Sequence, residues 1–368
     1  MKGIWKYAHL LPKVRDAYQL TIGEGGTPLV RSRNIGPSLG LDNLYFKLEN
    51  LNPSGSYKDR FAALSVSLIQ EQQVGFCLAT SSGNTGAALA AYSAVAKLPC
   101  LLAIVDGAPE GKLTQMRAYG AETLMVKDFG KDIQVTQATM SLLERIAIEH
   151  RSVVQVSAFR YSPLAMQGVQ TIAYEIAEQV RDNHVHVFVP AGGGGLTLAI
   201  CKGFDRWKQE FPTYIKPIVH CVQPEGNDTI ASSIQKKRHK ATAVPASTTA
   251  VSGLQVPNVL DGDEVVRYCL NNAGMGHTVP DEEVFSWQRR LAVDEGVYCE
   301  PAGAVALAGL ANALKNKEID TKDSIVCIVT GHGFKDPLSI QQMAAHSEML
   351  YMADTTVLGE YIGTRVKR

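Results

Sequence analysis

The sequence predicts an α/β protein of two lobes, a three-layer α/β/α architecture with mostly parallel sheets and a ligand or cofactor cleft between the lobes. Two observations point there. From residue 74 onward, short apolar runs alternate with segments of helical periodicity, and strands separated by helices give parallel sheets covered on both faces. Turns rich in glycine, serine and asparagine sit at the ends of those apolar runs, where open α/β sheets hold their ligands.

Taken in order, residues 74–80 read as a buried strand, and Ser81-Ser82-Gly83-Asn84 leads into a small-residue helix over 85–96. Strand 101–105, helix 112–119 and strand 122–126 follow, then a long helix over 133–149, a strand at 153–156 and a helix over 164–180. Strand 186–189, the helix after Gly195 and strand 217–222 repeat the unit. Late in the chain, 282–295 and 302–316 carry helical patterns and 324–329 is a last apolar strand. Residues 74–160 are expected to form a smaller, inserted substrate lobe. Residues 1–73 with 161–340 form the larger, cofactor-binding lobe, and 341–368 a C-terminal extension that packs at a subunit interface or finishes the domain.

Composition narrows the function classes. Lys+Arg and Asp+Glu both total 36, a balance that argues against nucleic acid, which draws a basic excess. The most apolar stretch, 86–105, is broken by Lys97 and Pro99, so no membrane span is expected. The first residues run into Pro12 and charges rather than an apolar leader, which implies a cytoplasmic protein. Seven cysteines are scattered without a Cys-x-x-Cys pair and read as buried thiols in a reducing compartment. The nine histidines show no metal spacing, and no metal is expected.

Four clusters can carry chemistry. In Asn52-Pro53-Ser54-Gly55-Ser56-Tyr57-Lys58-Asp59-Arg60, proline and glycine force a turn, and Ser54 or Ser56 can cap the helix that starts near Lys58. A lysine on a first helical turn sits at the wrong end of the dipole for a purely structural charge. Its amine is then either a surface charge beside Asp59 or a desolvated nucleophile able to form a Schiff base. The second cluster, Ser82, Gly83, Asn84 and Thr85, opens a helix whose first amides suit a carboxylate or phosphate, and Asn84 adds a neutral amide. Third, Gly192, Gly193, Gly194 and Gly195 stand between a buried strand and a helix, the place for bare amides around a phosphate. The dinucleotide spacing and a following Lys-Ser/Thr are both missing, so a monophosphate fits best and a nicotinamide oxidoreductase is contradicted. Fourth, Thr330 ends the last strand with a hydroxyl able to meet a ring nitrogen. A small molecule that needs a lysine adduct, a phosphate cup and a ring-nitrogen contact is pyridoxal 5'-phosphate.

With these clusters in hand, the chain resembles the pyridoxal-phosphate enzymes of the tryptophan-synthase-β type (fold type II), and among them the threonine synthases. The matching segments run from Gly23-Glu24-Gly25-Gly26-Thr27-Pro28-Leu29 through the lysine turn, Ser82-Gly83-Asn84-Thr85 and Thr171-Ile172-Ala173-Tyr174-Glu175-Ile176. They continue through the glycine run and Glu300-Pro301-Ala302 to Thr330-Gly331-His332-Gly333-Phe334-Lys335-Asp336. The resemblance implies Lys58 as cofactor lysine and base, Asn84 on the ring oxygen, 192–195 on the phosphate and Thr330 on the ring nitrogen. It implies Ser82, Gly83, Asn84 and Thr85 on the substrate carboxylate, and Arg160 as a clamp for a substrate phosphate.

It further implies a homodimer acting on an amino acid, with O-phosphohomoserine and water giving threonine and phosphate. Tyr57 and Phe61 stand where the family carries phenylalanine and glycine, and Gln155 to Arg160 and Gln170 depart from its phosphate-binding pattern. Those departures admit β-replacement on a phosphoserine-type substrate (cysteate-synthase-like), a serine/threonine dehydratase, or a homologue that binds the cofactor without turnover.

Overall fold

The computed structural model describes residues 3–108, 110–345 and 347–366. The first two residues of the amino-terminal segment and parts of the 341–368 extension lie outside them. In chain order the elements are β1 (Leu29–Arg31), α1 (Ile35–Ser38), β2 (Leu44–Leu48), α2 (Lys58–Glu71), β3 (Cys77–Thr80), α3 (Asn84–Ala96), β4 (Cys100–Ile104), α4 (Glu110–Ala118), β5 (Glu122–Met125), α5 (Ile133–Glu149) and α6 (Gln167–Gln179). They continue with β6 (Val185–Pro190), α7 (Gly195–Glu210), β7 (Ile218–Pro224), α8 (Ala231–Gln235), α9 (Gly262–Asn271), β8 (Gly276–Val279), α10 (Asp281–Glu295), α11 (Pro301–Lys315), β9 (Ser324–Val329), α12 (Pro337–Ala344) and α13 (Thr355–Val366).

Two sheets organise the molecule, in three α/β/α layers. The larger has the order β1-β2-β9-β6-β7-β8, and the smaller is β3-β4-β5. Only β1 runs antiparallel to its neighbour; all other pairings are parallel. β6 and β9 lie at the centre of the large sheet and every one of their residues is buried, which is why both are dominated by valine, isoleucine and other apolar residues rather than alternating with polar ones. α11 is built of alanine, glycine and leucine because it lies directly on that sheet. A Cβ on its Gly309 would come within 2.5 Å of Val222, so only hydrogen fits there. α3 is likewise a buried helix of small residues, packed between the small sheet and α2.

A buried ion cluster fixes α2. The Arg60 guanidinium, fully buried, reaches Glu49 at 2.7 Å and Glu175 of α6 at 2.6 Å, and Lys47 of β2 reaches Glu175 at 2.6 Å. Removing one partner of such a set leaves an uncompensated buried charge, which costs about 3–5 kcal/mol.

Three expectations need correction. The strand read at 153–156 shrinks to one bridge, Ala79 with Gln155, because the chain turns at once into Ser157 and Ala158. The helix read over 164–180 starts only at Gln167. Finally, β1, β2, β8 and α9 went unread. Lys47 interrupts the apolar pattern of β2, and β8 has only four residues and begins with glycine. Among the described residues no helix is long and apolar enough to cross a membrane, and all seven cysteines are buried and free.

Candidate active site

Lys58 is the first residue of α2, directly after the turn that proline and glycine impose. Gly55 holds that turn with φ +90°, a conformation costly for any other L-residue. Neither serine caps the helix as expected. Ser54 Oγ is buried without a hydrogen-bond partner among the described residues, and the Lys58 amide donates only a long bond of 3.4 Å to Ser56 Oγ. Instead Asp59 reaches back from the first helical turn, its carboxylate accepting the Ser54 amide at 2.7 Å.

The Lys58 amine points inward. Its Nζ donates to Ser157 Oγ at 2.6 Å, and Ser157 Oγ lies 2.9 Å from Thr85 Oγ1. Burial pushes the amine down to about 7, while the carboxylates of Glu300 and Asp261 oppose the shift. Desolvation outweighs both of them. Near neutrality a large fraction of this amine is therefore unprotonated and nucleophilic.

α3 starts the second wall. Ser81 Oγ accepts the amides of Gly83 and Gly86 at 3.2 and 3.1 Å, so Ser81 rather than Ser82 shapes the turn. Asn84 Nδ2 donates to Glu300 Oε1 at 2.8 Å, which fixes the orientation of its amide.

Between β6 and α7 run the four glycines. The Gly192 and Gly193 carbonyls are occupied by Gln223 Nε2 and the Asp261 amide, both at 3.0 Å. None of the four glycine amides donates to a protein acceptor among the described residues. Gly194 has φ +95°, which a side chain would strain. Thr330, at the end of β9, is buried, and its Oγ1 has no hydrogen-bond partner among the described residues.

All these groups line one cavity of about 340 Å³: Lys58, the 82–85 turn, the four glycines and Thr330, with Ser157 and Glu300 among them. That volume is at the lower end of the ~300–1,000 Å³ common for small-molecule sites. Arg160 is not part of the lining. Asp261 accepts the Phe159 and Arg160 amides at 2.8 and 3.1 Å, and with the main chain so held the Arg160 side chain leaves on the exposed side, its guanidinium 6.0 Å from the Tyr161 ring.

Ser157, Glu300, Ser81 and Asp261 were not singled out from sequence. Ser157 is 99 residues from the lysine it touches. Glu300 precedes Pro301 at the start of α11 and reads as an ordinary first-turn acid.

A cavity with a desolvated lysine, four unpartnered backbone donors and one orphaned hydroxyl matches a cofactor that has an aldehyde, a phosphate and a ring nitrogen. The comparison with known families agrees, since residues 20–331 match the family described as pyridoxal-phosphate dependent enzyme. The chain belongs to the pyridoxal-phosphate-dependent enzymes. Its cofactor is pyridoxal phosphate.

Relatives of this pyridoxal-phosphate enzyme include the threonine synthase of Methanocaldococcus jannaschii, 33% identical over 337 residues, which are 91% of this chain and 81% of the relative. A threonine synthase from Bacillus sp. (strain ULM1) is 30% identical over 100% of this chain and 98% of its own length. Among solved structures, maize serine racemase superposes with a TM-score of 0.69 at 25% identity, covering 87% of this chain and 92% of the racemase. Processed threonine deaminase isoform 2 from Solanum lycopersicum gives 0.71 at 20% identity, covering 94% of both chains, and shares the fold.

Proposed function

We propose that this enzyme is a threonine-synthase-like lyase that converts O-phosphohomoserine and water to threonine and phosphate. The observation that carries the reading is the Lys58 amine, desolvated and held by Ser157 in the same cavity as the 82–85 turn, the glycine amides and Thr330. The relatives named threonine synthase, 30–33% identical over nine-tenths or more of the chain, support the choice of reaction.

Pyridoxal phosphate, once bound, supplies an electron sink that acidifies the carbon–hydrogen bonds near the substrate amine. In our reading, Lys58 is the residue that would hold it covalently, through its side-chain amine. The backbone amides of 192–195 are N–H donors for the phosphate, Asn84 serves the ring oxygen, and Thr330 Oγ1 donates to or accepts from the ring nitrogen. Being a neutral hydroxyl, Thr330 does not hold that nitrogen protonated as a carboxylate would. Such a site favours elimination and replacement over amino transfer. Ser82, Gly83, Asn84 and Thr85 receive the substrate carboxylate. Once freed, the Lys58 amine is a base matched to neutral pH, able to accept the Cα proton and return it. In the net reaction the γ carbon–oxygen bond to phosphate and one Cβ–H bond break, the hydroxyl of water bonds to Cβ, and the two protons released from Cβ and water end on Cγ and on the departing phosphate.

The same reading includes a homodimer in a cytoplasmic setting, with lobes formed by 1–73 plus 161–340 and by 74–160, and with 341–368 as an extension. Light scattering checks the dimer.

A second reading, elimination from serine or threonine, draws on the exposure of Arg160, which takes the expected phosphate clamp out of the cavity. One assay separates the two. Holoenzyme is offered O-phosphohomoserine, O-phosphoserine, serine and threonine, and threonine, phosphate and keto-acid products are measured. Threonine with equimolar phosphate from the first substrate supports the proposal. Keto acid from serine or threonine, with no threonine formed from phosphohomoserine, rejects it.

A further inference from the structure

A second recess, of about 80 Å³, adjoins the main cavity. Asn84, Ser252 and Glu300 are among the residues it shares with that cavity, and Gln115, Phe334 and Lys335 are among those that line the recess alone. Lys335 is half-buried there. Its Nζ donates to the neutral Oε1 of Gln115 at 2.7 Å, and no carboxylate forms an ion pair with it among the described residues. Gln115 in turn donates through Nε2 to the Ser54 carbonyl at 2.9 Å, so it is held from both sides. The lysine stem crosses the Gly55 turn so closely that a Cβ there would stand 3.0 Å from Lys335 Cε. Burial lowers the pKa of this amine, with Glu300 and Asp59 opposing. A desolvated cation whose hydrogen-bond partner is neutral gains most from an incoming anion. Arg160, the clamp that the resemblance implies, lines neither cavity.

We propose that Lys335, supported by Gln115, is the binding subsite for a phosphate monoester carried on the side chain of the amino-acid substrate. The proposal rests on the functional reading above and names the group that would hold the leaving phosphate.

The test compares holoenzyme of the wild type, K335Q and K335R. Dissociation constants for O-phospho-L-homoserine, L-homoserine and L-glutamate are read from the change in the cofactor's visible spectrum. Loss of one charge-assisted contact should cut the preference for the phosphorylated ligand about tenfold or more in K335Q, leave L-homoserine unchanged and be largely rescued in K335R. K335M, which keeps the stem, serves if the amide disturbs folding. An unchanged preference in K335Q, equal weakening of both homoserines, or no preference in the wild type would overturn the subsite. L-glutamate bound as tightly as the phosphate ester, and through Lys335, would overturn the phosphate assignment. Turnover is scored separately. Lys335-dependent preference without threonine formation rejects the proposed reaction alone, whereas threonine formation with an unaltered preference rejects the subsite alone.

Discussion

The amine of Lys58 donates a 2.6 Å hydrogen bond to Ser157 Oγ, joining the first turn of α2 to a loop 99 residues further along the chain. Ser157 is thereby assigned a positioning role, acting through the lysine it orients. In Ser157→Ala the amine loses that acceptor, a contact of about 1–1.5 kcal/mol, so kcat should fall roughly tenfold with little change in KM. Steady-state kinetics check this, and Ser157→Thr should recover most of the rate. An equal change in kcat and KM would contradict it.

The depressed pKa of Lys58 sets a pH dependence for cofactor loading. Its folded-state value of about 7 lies below the ordinary 10.5, so the neutral amine grows as pH rises through 7 and is nearly complete about one unit above. Incorporation of pyridoxal phosphate into apoprotein, followed by absorbance, should accelerate from pH 6 to 8 and then level off. A rate still climbing at pH 10 would place the amine at an ordinary value. In Lys58→Ala the visible absorbance of bound cofactor should vanish.

Thr330 Oγ1 is buried and unpartnered, so the protein itself does not depend on its hydroxyl. Thr330→Val should leave the apoprotein as stable or stabilise it by about 1 kcal/mol, since an unsatisfied buried polar atom is replaced by a methyl group. Holoenzyme activity should nevertheless drop. Thermal melts of apoprotein and assays of holoenzyme, made side by side, test the contrast. A destabilised apoprotein would mean that the hydroxyl serves the fold instead.

Gly194→Ala should weaken cofactor binding. With φ +95° and only 3.0 Å between an added Cβ and Ile230 Cδ1, alanine must distort the turn, at a cost of roughly 1–2 kcal/mol or an about five- to thirtyfold higher Kd. Fluorescence titration with pyridoxal phosphate measures it, and an unchanged Kd would remove the glycine run from the phosphate.

Acid lability should trace to buried histidine. His277 is held neutral by burial, its pKa pushed down to about 4. Between that value and the ordinary 6.5 the unfolded chain binds the extra proton, so stability rises with pH across this window and is lost on acidification below 6.5. The contribution is up to about 3 kcal/mol. Urea unfolding at pH 5 and 7.5 should show a smaller pH difference in His277→Leu than in the wild type, and an identical difference would refute the assignment.

The sequence-readable parts of the fold were those where one local rule dominates. β9 and α5 match their expected bounds because an uninterrupted buried run and a long helical period have no competitor. β2 was hidden because Lys47 is tolerated inside a strand only through Glu175, far away in sequence. The candidate site divides the same way. Lys58, the glycine run and Thr330 sit at strand or helix ends and announce themselves, while Ser157 and Glu300 gain meaning only from neighbours that folding brings to them. Arg160 stands outside the cavity for the complementary reason. Its residue type suits a phosphate, but Asp261 governs the main chain beneath it and turns the side chain away.

The Arg60 cluster separates two duties within the molecule. Because Arg60 shares the first turn of α2 with Lys58 and is clamped by Glu49, directly after β2, and by Glu175 of α6, the reactive nitrogen keeps its position by means that involve no substrate-facing residue. Retargeting the enzyme is then a matter of reshaping the opposite wall, around Gln115, Ser82 and Lys335, while leaving its chemical engine bolted down.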